Sequence, residues 1–93
     1  MPKEAVMNVY MVERSLKGIP MDALAAAQKR AIETSQRVSG EGTPVRYIRS
    51  TFVPDEGCCM CLFAADRAED VKRVNELANI PFHRIVPALD LTP

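Results

Sequence analysis

At 93 residues, 47% of them hydrophobic and 26% charged, the chain has room for one core and is too apolar for a disordered segment. Twelve basic residues balance twelve acidic ones, so no net field draws nucleic-acid phosphates or anionic lipid, and neither partner is expected. No run reaches the roughly eighteen apolar residues of a spanning helix, and Met1-Pro2-Lys3-Glu4-Ala5 has no apolar segment behind its lysine. The expectation is a soluble, cytoplasmic, single domain over 1–93, with short flexible ends at 1–5 and 90–93.

The first element is a strand from Met7 to Glu13, rich in strand formers and short for a helix. A loop punctuated by Ser15, Gly18 and Pro20 places the proline in the first turn of the next element. Met21 to Val38 reads as a helix, with Leu24, Ala27, Gln28, Ala31, Ser35 and Val38 on one thin, close-packing face. Ser39-Gly40-Glu41-Gly42 ends it, glycine supplying the left-handed positions.

From Val45 to Val53 a second strand sets Val45, Tyr47, Thr51 and Val53 on one face and Ile48 and Phe52 on the other. Pro54-Asp55-Glu56-Gly57 is a hairpin turn, and Cys58 to Ala64 returns as the third strand. Asp66 stands at capping-box distance from Glu69 and opens a second helix whose buried stripe is Val71, Val74, Leu77 and Ala78, ending near Asn79. Pro81 bars continuation, and Phe82 to Ala88 forms a last strand with Pro87 suited to an edge.

This β-α-β-β-α-β order is the α+β, ferredoxin-like sandwich, a four-stranded antiparallel sheet with two helices on one face. Right-handed crossovers set both helices on that face. Because the strands are apolar on both faces, the bare face is expected to meet a second copy in an isologous homodimer.

The three cysteines lie within four residues and cannot link distant segments, so reduced thiols are expected. On a strand, Cys59 and Cys61 share one face while Cys58 and Met60 take the other. Thiolates and thioethers are soft ligands for nickel, zinc or copper(I), and Met7 and Met11 could add sulfur from a neighbouring strand. Plain burial of apolar cysteine and methionine is the competing account. His83, the one histidine, is a ligand or a rim residue; Glu13, at the end of the first strand, could supply oxygen near the thiols. Arg14, Arg46, Arg49 and Arg84 read as solvated or paired, and Tyr10 and Tyr47 as packing residues. No phosphate loop, dinucleotide fingerprint or complete catalytic motif occurs, so no nucleotide cofactor is expected.

Several segments together, Tyr10-Met-Val-Glu-Arg14, Val45-Arg-Tyr-Ile-Arg-Ser50, Cys61-Leu-Phe-Ala64, Val71-Lys-Arg-Val-Asn75 and Ile80-Pro-Phe-His-Arg-Ile85, resemble the bacterial family called domain of unknown function 4242. That family includes a nickel-binding protein, and the likeness covers about Val9 to Val86. It implies a ferredoxin-like, dimerising protein and carries Cys61 and Glu13 over as candidate ligands. This chain departs from the family pattern at Arg49, where a histidine often precedes the serine, and at Ala64, where an acidic residue often stands.

The leading expectation is a small metal-binding protein, for nickel or another soft divalent ion, with Cys61, Cys59, Glu13 and His83 as ligands. The alternative is a dimeric enzyme or small-molecule binder with a pocket between sheet and helices, lined by Tyr47, Arg49 or His83.

Overall fold

The computed structural model describes residues 7–93, so the flexible end expected over 1–5 lies outside the described residues. In chain order the elements are β1 (Asn8–Ser15), α1 (Met21–Gly40), β2 (Val45–Val53), β3 (Cys58–Ala65), α2 (Ala68–Leu77) and β4 (Arg84–Ala88). One sheet of order β2-β3-β1-β4 results, every adjacent pair antiparallel. Two helices cover one of its faces. The fold is the ferredoxin-like α+β sandwich.

One apolar core holds it together. Val12, Val45, Phe63 and Ala65 rise from the sheet to meet Ala27, Ala31 and Val38 of α1, Val71 and Val74 of α2, and Ala78 just past its end. Phe63 is wholly buried at the centre of β3, and Tyr47 meets its ring edge-on at 5.5 Å and 80°. The alanines of α1 do what small side chains permit: they bring the helix close to the sheet.

Three local expectations are corrected. Tyr47 opposes Phe63 and Arg49 opposes Leu62, so Ile48 is the extra residue of a β-bulge. Beyond it the alternation changes phase, and Ser50 and Phe52, opposite Cys61 and Cys59, take the helix-covered face in place of Thr51 and Val53. Asp66 does not cap α2: Arg67 holds the N-cap position, with no side-chain cap bond. Leu77 leaves the buried stripe, 48% exposed at the helix end; Asn75 lies buried in that helix instead.

The hairpin turn forms as the sequence directs, with Gly57 N donating to Val53 O at 2.8 Å. Gly57 is at φ +72, and a Cβ there meets the Lys17 backbone at 2.4 Å, so only glycine fits. Its carbonyl accepts from Leu16 N at 2.7 Å and ties the turn to the end of β1. Near the C-terminus, Asp90 pairs with Arg49 at 3.1 Å.

Candidate functional site

Strand β3 delivers the thiols as the period of two requires. Cys59 and Cys61 are 3% and 6% exposed on the helix-covered face, their sulfurs 3.9 Å apart, while Cys58 is half-buried on the opposite face. All three are free. Side chains two apart on a strand leave in the same direction, so their Cβ atoms stay about as far apart as their Cα atoms, roughly 6.6 Å. A disulfide needs about 3.5–4.5 Å between Cβ atoms. The pair can share a proton or a bridging atom, but a direct sulfur–sulfur bond demands that the strand bend.

The two sulfurs line a cavity of about 200 Å³ between the sheet and α1. Leu16, Leu24, Ala27, Ala31, Phe52 and Ile80 supply most of its wall, and Arg14, Gln28, Tyr47 and Ser50 are the other polar groups on it. This pocket stands where the small-molecule reading expects one. Of the residues proposed to line it, Tyr47 does so; Arg49 and His83 are not among its lining residues.

A chain of hydrogen bonds converges on Cys61. Gln28 Nε2 donates to the Tyr47 hydroxyl at 2.9 Å, that hydroxyl is hydrogen-bonded to Ser50 Oγ, and Ser50 Oγ donates to Cys61 Sγ at 3.0 Å. Such a row of donors polarises toward its acceptor end. The Cys61 thiol is accordingly lowered from 9.0 to about 6, first by the hydrogen bond from Cys59 and then, against the cost of burial, by the Arg14 cation and by Ser50. Cys59 is pushed up, chiefly by that same hydrogen bond, then by burial and by the charge on Cys61. Cys61 is thus the thiolate of the pair and Cys59 its proton-bearing donor, an assignment that belongs to the two together.

Arg14 is the residue the sequence pattern misplaced. Instead of being solvated or ion-paired it is 2% exposed, donating from one Nη to Asn75 Oδ1 at 2.7 Å and from the other to Pro81 O at 3.2 Å. Asn75 is fixed in turn by donating to Val71 O at 2.8 Å. The available signal was parity: Arg14 lies two residues beyond Val12, on the core side of β1.

Glu13 and His83 are not beside this thiol pair. Glu13 opposes Met60 on the helix-free face, where its carboxylate accepts from Arg84 Nε at 2.6 Å and lies 4.0 Å from Cys58 Sγ. His83 is exposed just before β4, and its backbone N–H donates to Glu13 O at 2.7 Å. Met11 opposes Leu62 on the helix-free face and Met7 precedes β1, so neither adds sulfur to the pocket. Among the described residues, no three His, Cys, Asp or Glu side chains gather as a ligand cluster, and no helix is long and apolar enough to cross a membrane.

Comparison with known proteins places these residues in context. The sequence pattern described as "Nickel responsive protein SCO4226-like" matches residues 10–87, which include every polar residue of the pocket. The nickel-protein-like family expected from the sequence fits this match, whose description does not carry the label domain of unknown function 4242. The crystal structure of SCO4226 from Streptomyces coelicolor A3(2) is similar with a TM-score of 0.70 at 24% identity, over 91% of this chain and 99% of that one, a likeness of fold. No curated protein matches.

Proposed function

We propose, from the premise that this chain belongs to the SCO4226-like family of nickel responsive proteins, that it holds a soft divalent ion, nickel foremost, between Cys59 and Cys61. The observation that carries this reading is the 3.9 Å between the two buried sulfurs. Two thiolates about 2.3 Å from a tetrahedral ion stand about 3.8 Å apart, so the pair has a chelating span without moving the strand. Soft sulfur donors in a largely apolar pocket suit nickel, zinc or copper(I) over calcium or magnesium. The bound ion would act as a charge that two thiolates neutralise and as a Lewis acid with positions open for a further ligand.

The residues of the chain have distinct parts in this. Cys61 is ready as a thiolate, and the Cys59 hydrogen bond, the Arg14 cation and Ser50 keep it so at neutral pH. Cys59 carries the proton that must leave, so binding at about pH 7.5 releases about one proton per ion. Glu13 and His83 remain candidates only for a separate site on the helix-free side, since Glu13 lies near Cys58 rather than Cys61. Titration with nickel, zinc and copper(I), repeated on Cys61→Ser and Cys59→Ser, tests the assignment: each variant is expected to lose the high-affinity equivalent. Unchanged stoichiometry and affinity in both variants would overturn it.

A second reading, a small-molecule site, is favoured by the cavity itself and by Arg14 at its wall. The expected homodimer is retained as a proposal, with a second copy on the helix-free face. Its support is the row of half-buried apolar groups there, Val9, Met11, Met60, Leu62 and Val86, on strands whose other face is already filled.

A further inference from the structure

Arg14 is the largest fully buried side chain among the described residues, and the partners of its terminal nitrogens are neutral: the Pro81 carbonyl and the Asn75 amide oxygen. Its Nε is buried with no partner at all. Among the described residues the ion pairs are Arg49–Asp90, Arg67–Asp70, Lys72–Glu76, Arg73–Glu41 and Arg84–Glu13, so none of the described carboxylates answers this cation. A buried charge without a counter-charge, and a buried N–H without an acceptor, are both strongly unfavourable. The Cys61 thiolate faces this cation and answers its charge, but its sulfur is already shared with Cys59 and Ser50, and the Arg14 Nε–H is left without an acceptor.

The geometry points to a ligand. Arg14 lines the cavity of about 200 Å³ whose other walls are mainly apolar, Leu16, Leu24, Ala27 and Phe52 among them. That volume takes a chain of a few carbons, and a single unused N–H suits one acceptor oxygen better than a phosphate, whose oxygens call for several donors. We propose that this pocket binds a small monocarboxylate with a short apolar tail, its carboxylate accepting from Arg14 Nε and its tail lying among Leu16, Leu24 and Phe52. The proposal rests on the small-molecule reading of the pocket, whose wall includes the two cysteines of the metal reading.

Hexanoate is the probe and hexanamide its neutral match. Calorimetric titration of the whole protein is expected to show saturable hexanoate binding, with a shift of the Arg14 Nε–H proton resonance. Hexanamide is expected to bind about tenfold more weakly or worse, the loss of a charged hydrogen bond. Arg14→Met loses hexanoate by at least that factor. Should that variant fail to fold, Leu24→Trp, which fills the pocket and leaves Arg14 in place, carries the test with the same expected loss. Cys58→Ser, on the opposite face of the sheet and outside the pocket wall, keeps hexanoate binding. Equal affinity for hexanoate and hexanamide overturns the carboxylate assignment and leaves a small-molecule pocket standing. No saturable binding of either compound overturns both.

Discussion

The two faces of the sheet are built from the same residue types and do opposite things. On the covered face Arg14 is buried among neutral partners, Cys59 and Cys61 share a proton, and Ser50 donates to a thiolate. On the open face, one residue away along the same strands, Glu13 pairs with Arg84 and Cys58 stands half-exposed beside them. Composition does not distinguish the two sets; solvent does. Burial removes the water that screens a charge, so a guanidinium that is inert at the surface becomes, beside a thiol, a force that shifts its protonation. Function in this fold is a matter of parity along a strand.

The comparison breaks most visibly through packing. Phe63, wholly buried under the helices, and Leu62, half-buried on the open face, are sequence neighbours. Phe63→Ala is expected to cost about 3–5 kcal/mol in urea unfolding and Leu62→Ala less than half of that. Equal losses would mean that the open face is as fully covered as the other.

A smaller effect, and a more specific one, comes from pH. Between about 6 and 9 the unfolded chain holds a proton on Cys61 that the folded chain has lost, so stability rises with pH across that window. Below about 6 both states are protonated and the contribution is gone. Cys59 is displaced the other way, so above pH 9 the folded chain keeps a proton the unfolded one gives up, and stability declines. Cys61→Ser flattens the rise, because it removes both the thiolate and the first cause of the Cys59 shift. A rise that persists in that variant would place its origin elsewhere.

These residues also mark where the sequence was legible. Strand period alone separated Cys59 and Cys61 from Cys58, and turn chemistry alone found the hairpin at Gly57, because both depend on local backbone geometry. Phe52 was misplaced by one bulge residue, Ile48, which leaves no signature in the apolar pattern and shifts every later side chain to the other face. Arg14 and Asn75 were passed over because a charged or amide group is normally solvated; what buries them is each other, a contact across 61 residues of sequence. Local patterns report elements, and long-range polar pairs appear only when the elements have been placed.

The smallest expected effect tests the open face most directly. Arg84 and Glu13 approach to 2.6 Å, but with side chains 58% and 26% exposed their attraction is screened and offset by lost side-chain freedom. On a face open to water, Arg84→Ala is expected to cost less than about 1 kcal/mol, and the cost is independent of protein concentration. A second copy seated on this face changes both terms: the pair loses its solvent, and its removal shifts a dimerisation equilibrium, so the loss grows and depends on concentration. Sedimentation of the wild-type chain alongside the urea series at two protein concentrations separates the cases. A monomer at every concentration, with a small and constant cost for Arg84→Ala, would overturn the homodimer and leave the open face as the solvated side of a one-sided sandwich.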